Sequence, residues 1–372
     1  MKEFILTEGS ALGEDNKIDF PGKIAIITSH PSVNKNNFNT ASLLSKKYGS
    51  ENIVHVTWPE NFINAQKEMT DIVAALAEDK EIRVLIVSPA ISGSNAAIDK
   101  LKETRDDIFI VYSAIMEPYA EAASRANLLI MPNELEMASI MVKQAKKQGA
   151  KTFVHYSFPR HMALSMLSRK RDLIKENCSA EGILFIDAEL PDPTGEAGFK
   201  NAQQAVLEDV AKLVAKYGDN TAFFCTNCAL QAPLIKAVVD NHAIYPQGCC
   251  PSPYRGFPEA LDIDSNKDLA NLTHLISEIS HMAAEKNMSD RLSSWPVSAS
   301  RIAASIAAEY AIKWINREVT RTGIDDMVLE KCIKTYVVDV VGEGVEVAMS
   351  SYSENGVTYN NFKQILMSYL DF

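Results

Sequence analysis

The chain has 372 residues, of which 47% are hydrophobic and 23% are charged, and its formal net charge is −11. These proportions are those of a globular protein with enough apolar material for two cores. The acidic balance argues against nucleic acid as a direct partner, because binding to phosphates needs clustered Lys and Arg.

Short runs rich in β-branched residues alternate with helix-like stretches through two thirds of the chain. Each run ends in a small or polar residue before the next helix-like stretch begins. Such alternation predicts parallel sheets with helices on both faces, and in these sheets ligands bind at the carboxyl ends of the strands. The predicted strands are residues 23–28, 53–57, 84–88, 108–113, 128–132, 152–157, 182–188, 222–225 and 242–245.

Five of these strands precede residue 133 and four follow it, which predicts an α/β protein of two doubly wound, Rossmann-like lobes. The best-marked helix begins after the N-cap residue Asn133 and ends before Gly149. The other predicted elements are helices at 39–48, about 298–320 and about 325–337, a strand at 345–350 and a terminal helix at 360–370. The predicted domains are an N-terminal arm (1–20), a first lobe (21–155 with about 298–344) and a second lobe (156–297 with about 345–372).

The ends of the chain and its cysteines bear on where the protein resides. No run of about 18 apolar residues occurs, so the sequence predicts no transmembrane segment. The apolar stretch from Phe4 to Leu6 is too short for the core of a signal peptide, and six unevenly spaced cysteines do not resemble a disulfide framework. As it stands the sequence predicts a cytoplasmic protein, whereas export or lipid anchoring would require a leader that has been trimmed.

Four segments carry a resemblance to a known family: KIAIITS (23–29), VLIVSPA (84–90), TFVHYSFPRH (152–161) and AFFCTN (222–227). With the order of strands and crossovers, they resemble an uncharacterised bacterial lipoprotein-like family related to the basic membrane protein (Med-type) solute-binding proteins. The resemblance implies the type I periplasmic-binding-protein fold, with a small ligand clamped between hinged lobes. Similar lobes occur as effector domains of LacI-type repressors, but about 20 residues before the first strand are too few for a helix-turn-helix headpiece.

Polar and aromatic residues that come just after the predicted strands are the candidate ligand contacts. Trp58 and Tyr254 offer flat faces for stacking, and the paired donors of Arg160 suit a carboxylate or phosphate. The candidates are Ser29, His30, Trp58, Ser92, Ser113, Glu117 and Asn133 from the first lobe, and Ser157, Arg160, His161, Asp192, Asn227 and Tyr254 from the second.

Two short motifs point to ion binding but fit ordinary structure better. The segment ISGSN (91–95) opens a helix whose N–H groups could receive an anion, yet N-capping by Ser92 or Ser94 is the simpler interpretation. The alternating acidic residues from Asp262 to Asp268 lack the Gly and the Glu that a calcium-binding loop needs, so a solvated turn is preferred.

The cysteines of the second lobe could supply a redox pair or a zinc site. Cys225 and Cys228 have the C-x-x-C spacing, and Cys249 and Cys250 would complete a set of four thiols. Adjacent cysteines chelate one metal poorly, so we interpret all four as small buried hydrophobic residues, and no metal ligand is predicted.

Together these features predict a non-catalytic protein that closes two lobes around a small polar ligand, such as a nucleoside, a sugar or an amino-acid-like molecule. The sequence contains no G-x-S-x-G elbow and no G-x-G-x-x-G fingerprint, and no cofactor is predicted. A transporter or a regulatory protein would be the partner that senses closure. The alternatives are an effector-sensing domain of a transcriptional regulatory system, like a LacI-type ligand-binding domain without its headpiece, and an enzyme that uses the interlobe cleft.

Overall fold

The computed structural model describes residues 20–196, 198–264 and 271–372. Of the predicted N-terminal arm only Phe20 falls in these ranges, and Asn266 and Asp268 of the acidic turn lie outside them. In chain order the strands are β1 (Lys23–Thr28), β2 (Ile53–Thr57), β3 (Ile82–Ser88), β4 (Phe109–Ser113), β5 (Leu128–Pro132), β6 (Thr152–Ser157), β7 (Leu184–Glu189), β8 (Thr221–Cys225), β9 (Ser293–Ser294), β10 (Val347–Glu354), β11 (Val357–Met367) and β12 (Leu370–Asp371).

The helices fill the intervals between the strands, as the alternating pattern predicts. Asn133 caps the helix that follows it by accepting a hydrogen bond from the Glu136 N–H (3.1 Å), and Gly149 follows its end with a φ of 91°. In chain order the helices are α1 (Lys35–Tyr48), α2 (Gln66–Glu78), α3 (Ser94–Lys102), α4 (Tyr119–Arg125), α5 (Glu134–Lys147), α6 (Pro159–Met162), α7 (Ser165–Ala180), α8 (Gly198–Tyr217), α9 (Gln231–Asp240), α10 (Phe257–Ala260), α11 (Leu272–Glu285), α12 (Ala299–Ile315) and α13 (Asp326–Val341).

The chain divides into two compact units. The first runs up to Pro132 and includes Ala299–Glu343 and Val347–Ile365, and the second contains Asn133–Ser298, Gly344–Glu346 and Leu366–Phe372. These limits differ from the predicted domains, which placed residues 133–155 in the first lobe and 347–365 in the second. The difference arises because α5 packs on α7 and β6 in one core, while β11 pairs with β5.

The first unit is built on one seven-stranded sheet with the order β10-β11-β5-β4-β3-β1-β2. Strands β1 to β5 pair in parallel, and the apolar runs Ile24–Ile27 and Val84–Val87 are buried throughout, as a strand covered on both faces requires. Helices α2, α3 and α4 pack in the core on one face, and α12 packs against β3, β4 and β5. The strand order reverses at β1 and β3, which makes their carboxyl ends the topological switch point.

The last long element of the first unit was predicted wrongly. Residues 360–370 were expected to form a helix, but 360–367 belong to β11, which pairs in parallel with β5 from Phe362 to Ile365, and Leu370 begins β12. The positive φ angles of Asn355 and Gly356 form the tight two-residue turn that joins β10 to β11.

The second unit contains a three-stranded parallel sheet with the order β7-β6-β8. The predicted strand at 242–245 forms only isolated bridges, one from Ala222 to Ile244 and one from Tyr245 to Leu292. Ile244 therefore lies beside β8 as a single bridging residue, and Tyr245 bridges in turn to Leu292. Because the order reverses at β6 and β8, the carboxyl ends of these strands form the switch point of this unit.

Candidate functional site

The carboxyl edge of the first sheet holds a chain of buried hydrogen bonds at its switch point. The Asn37 side chain accepts from the Ser29 N–H (2.8 Å) and donates to the Ser88 hydroxyl (3.2 Å), and the Ser113 hydroxyl donates to Ser88 (2.7 Å). The structure thus brings the predicted residues Ser29 and Ser113 together through Asn37 and Ser88. All four side chains are buried, so this network fixes the strand ends.

Trp58 does not offer the stacking face that the sequence predicts. Its side chain is 2% exposed, it packs in the core of the first unit, and its indole N–H donates to the Pro89 carbonyl (2.9 Å). A large aromatic residue that follows a strand can either stack on a ligand or pack in the core, and Trp58 packs in the core. Its contact with the Pro89 carbonyl orients the loop after β3.

The N-terminus of α3 receives an anion from the protein itself. The Glu117 carboxylate accepts hydrogen bonds from the N–H groups of Gly93 and Asn95, both at 2.9 Å. The expected capping by Ser92 or Ser94 is therefore wrong, since the N-cap position is held by Gly93, which has no side chain to form a cap bond. Ser92 is exposed, and Glu117 neutralises the positive helix end.

His30 lies on the same edge in a more open position. Its ring nitrogen Nδ1 is 2.7 Å from the Ser32 hydroxyl, which donates to the Glu60 carboxylate. His30 is half-buried, while Ser32 and Glu60 are exposed. This group can both donate and accept hydrogen bonds at the surface.

The second unit presents a charged pair at the carboxyl edge of its sheet. Arg160, in the short helix after β6, donates to both carboxylate oxygens of Asp192 (2.7 and 3.1 Å) and to the Thr194 hydroxyl (3.1 Å). The Arg160 side chain is 53% exposed, and its hydrogen bonds are the main cause that holds the pKa of Asp192 well below its usual value. The guanidinium predicted to bind an anion is thus already paired with one.

His161 joins the ends of β6 and β8 at the switch point. Its Nδ1 atom lies 2.9 Å from the Thr226 hydroxyl, and its ring packs on Phe158 with centroids 4.1 Å apart. Burial is the main cause that lowers the pKa of His161, followed by the nearby Arg160 charge. The imidazole is therefore neutral near pH 7 and is suited to hydrogen bonding.

The remaining predicted residues of the second unit have local structural contacts. Asn133 caps α5, and the Asn227 side chain accepts from the Ala229 N–H (2.8 Å) at the turn after β8. Ser157 is buried at the end of β6, and Tyr254 is half-buried. These four residues lie on or near the carboxyl edge, but their contacts do not identify them as ligand groups.

Several buried polar groups that sequence reasoning missed have no hydrogen-bond partner in the described part of the chain. Both side-chain polar atoms of Asn95 belong to this set in the first unit, and the Tyr245 hydroxyl, the Gln247 amide nitrogen and the Trp295 indole nitrogen belong to it in the second. Buried polar groups are normally paired, so each of these is a candidate for a water or ligand contact. The signal available in the sequence was weak, because Tyr245 and Trp295 are large aromatic residues of the kind that usually fills a core.

Three cysteine thiols meet at the same edge of the second unit. The sulfur of Cys228 lies 3.1 Å from that of Cys249 and 3.2 Å from that of Cys250, and the Gln231 amide donates to Cys249 (2.9 Å). Cys225 is buried and lies outside this cluster. The interpretation of small buried hydrophobic residues therefore suits Cys225 but does not describe the other three, of which Cys250 is exposed.

The fold defines the class of protein to which the chain is similar. A Clostridium difficile 630 protein, provisionally described as a transcriptional regulator, superposes with a TM-score of 0.84 at 23% identity, over 95% of this chain and 100% of that one. A substrate-binding protein of a sugar ABC transport system from Bordetella parapertussis 12822 (TM-score 0.52, 12% identity, 94% of this chain and 89% of that one) and a periplasmic ribose ABC transporter from Conexibacter woesei DSM 14684 (0.51, 12%, 85% and 95%) share the fold. The predicted fold class, a type I periplasmic-binding-protein-like α/β fold, is confirmed.

The chain belongs to a family described as proteins of unknown function (DUF3798), whose match covers residues 22–293. Two proteins of Treponema pallidum (strain Nichols), both described as uncharacterized, are similar in sequence. One is 32% identical over 165 residues, which cover 44% of this chain and 76% of the relative. The other is 34% identical over 144 residues, which cover 38% of this chain and 65% of that relative.

Among the described residues, no helix combines the length and the apolar character needed to span a membrane.

Proposed function

We propose that the protein binds a small polar ligand without converting it, and that binding closes the two units around the ligand. The fold supports this role, since its structural neighbours include proteins described as sugar transport components. The relation to Med-type solute-binding lipoproteins that the sequence resemblance implies is part of the same proposal.

The observation that carries the proposal is the surface group of Arg160, Asp192 and Thr194. Together they offer N–H donors, carboxylate oxygens and a hydroxyl within one hydrogen-bonded cluster at the carboxyl edge. Because the guanidinium charge is already balanced by Asp192, a further anion gains little attraction there. The group therefore favours a neutral ligand with several hydroxyl groups over a carboxylate or a phosphate, and a sugar-like molecule fits best.

Binding can be tested by thermal-shift measurement of the full chain against sugars, polyols, nucleosides and amino acids. A ligand that binds only the folded state raises the melting temperature by mass action. Arg160→Ala should weaken the best hit by about 10- to 100-fold, because a hydrogen bond to a charged group contributes about 1.5–3 kcal/mol. Closure should appear as a smaller radius of gyration in X-ray scattering with the ligand.

A matched control lies at the opposite edge of the first sheet. Arg125 also binds an aspartate through two nitrogens, Asp99 at 2.9–3.0 Å, but it ends α4 just before β5 begins and so lies near the amino ends of the strands. Arg125→Ala should leave ligand affinity unchanged. Equal losses in both variants, no hit in the panel, or chemical conversion of the ligand would contradict the proposal.

A second candidate function is the sensing of an effector for a regulatory system. The extended similarity to the Clostridium difficile protein favours it, since the two chains match over nearly their full lengths. The same ligand site would serve, and a regulatory protein would recognise the closed form. Ligand-dependent capture of a DNA-binding partner would separate this function from solute uptake.

A further inference from the structure

We propose that Cys228, Cys249 and Cys250 form a binding site for one soft divalent metal ion, of which Zn²⁺ is the natural candidate. Their three sulfur atoms lie within 4.8 Å of one another, although they come from two separate segments. Cys228 opens the short turn after β8, and Cys249 and Cys250 follow the two bridging residues Ile244 and Tyr245.

The spacing of the sulfurs suits thiolate coordination. A tetrahedral centre with Zn–S bonds of about 2.3 Å places its sulfurs about 3.8 Å apart. The sulfur of Cys228 lies 3.1 and 3.2 Å from the other two sulfurs, and a small rotation of the cysteine side chains would widen these distances to that value. They are also well beyond the roughly 2.05 Å of a disulfide, so no pair is bonded. Three protein ligands leave a fourth position for water or another donor atom.

The charges around the cluster suit three thiolates and one divalent ion. Together these carry a net charge of −1, and Arg255, which interacts electrostatically with all three cysteines, balances it. The Gln231 amide donates to the Cys249 sulfur (2.9 Å), the kind of outer contact that orients a metal ligand.

Backbone geometry explains how adjacent cysteines reach the same point. A Cβ atom at position 248 would lie 2.6 Å from the Gln231 amide oxygen and 2.7 Å from the Tyr245 hydroxyl, so any residue other than Gly would force these side chains to shift. This close approach brings the Cys249–Cys250 segment onto the turn that holds Cys228. From the sequence a metal site was rejected because adjacent cysteines chelate one metal poorly, yet the structure brings the sulfurs of Cys249 and Cys250 within 4.8 Å of each other and of the Cys228 sulfur.

The test uses the full chain, reduced and stripped of metal under argon, and titrated with Zn²⁺, Cd²⁺ or Co²⁺. We expect one equivalent to bind, with the thiolate charge-transfer absorption of Cd²⁺ and the visible spectrum of tetrahedral Co²⁺. Cys228→Ser should weaken binding by about 100-fold or more, and Gln231→Ala by about tenfold, as for other outer-shell partners. Circular dichroism of each variant reports whether it folds.

Cys225→Ala is the matched control, since it removes the other half of the C-x-x-C spacing while leaving the three sulfurs in place. It should retain one equivalent with the same spectrum. The proposal is overturned if the reduced protein binds no metal, if Cys225→Ala loses binding as Cys228→Ser does, or if Cd²⁺ binds without the thiolate absorption. A second folded variant, Cys250→Ser, must also lose affinity.

Discussion

The carboxyl edges of the two parallel sheets both carry hydrogen-bonding side chains but use them differently. In the first unit, Asn37, Ser88 and Ser113 bond to one another in the interior. In the second, Arg160 and Asp192 pair at the surface, where donors and acceptors remain in reach of solvent. A position just after a strand therefore predicts that a residue lies at the carboxyl edge of the sheet. Its burial and its existing hydrogen-bond partners decide whether a ligand can bind to it.

The largest effect should come from breaking the buried network of the first unit. Asn37→Ala leaves the buried Ser29 N–H without its side-chain acceptor and the Ser88 hydroxyl with Ser113 alone, which should lower the free energy of unfolding by about 1–3 kcal/mol. Urea denaturation measures the loss, and Asn64→Ala, at an exposed position in the same unit, should change stability by less than about 0.5 kcal/mol. If Asn37→Ala instead abolished ligand binding at unchanged stability, the first edge would be a ligand surface.

A smaller loss should follow removal of the acidic cap of α3. Glu117→Ala deprives two helix N–H groups of their acceptor and should cost about 1 kcal/mol. Glu117→Gln keeps an acceptor without the charge and should cost less. Glu121→Ala, at an exposed site in the next helix, is the control, and equal melting temperatures for Glu117→Ala and wild type would refute the capping role.

The smallest effect concerns pH. Because burial lowers the pKa of His161, the folded state binds fewer protons than the unfolded state once the pH falls below the unfolded value of about 6.5. This contribution to stability should therefore be fully present above that pH and decline as the pH falls below it. His161→Gln should reduce the decline in melting temperature. The remaining decline is expected from His55, because burial also lowers the pKa of His55.

His281→Gln, on an exposed helix face, should leave that decline unchanged. An identical decline in wild type and His161→Gln would show that His161 does not contribute.

The sequence predicted the parallel strands closely because most of them are short apolar runs whose signal is local, and β4, β6 and β8 are buried throughout. It failed at β11, where the spacing of Phe362, Ile365 and Leu366 also fits a helix. The deciding contacts there are distant in sequence: Phe362 pairs with Leu129, and the buried Lys363 ammonium binds Asp326 (2.7 Å). A window of eleven residues of sequence around Lys363 contains neither Leu129 nor Asp326, so the local pattern could not reveal these contacts.

The candidate site was predictable in outline and not in detail. Strand ends located Arg160, Asp192 and His161 on one edge, since parallel strands share their direction. Which side chains pair there depends on loops whose conformation no periodicity reports, so the partner of Arg160 could not be anticipated. From the sequence the cysteines of the cluster were considered and rejected as metal ligands, because the close backbone approach at Gly248 that brings them together leaves no signal in the sequence.

Each of the two units is made of segments that alternate along the chain, and this affects how the protein folds during its synthesis. The first unit needs β11 to complete its sheet, and the second needs β12 to pair with β9. Neither can therefore finish folding on the ribosome until residues 357–371 have emerged, although most of each has been translated long before. Ribosome-bound nascent chains that end before β11 and β12 would expose two incomplete cores at once and would depend on chaperones.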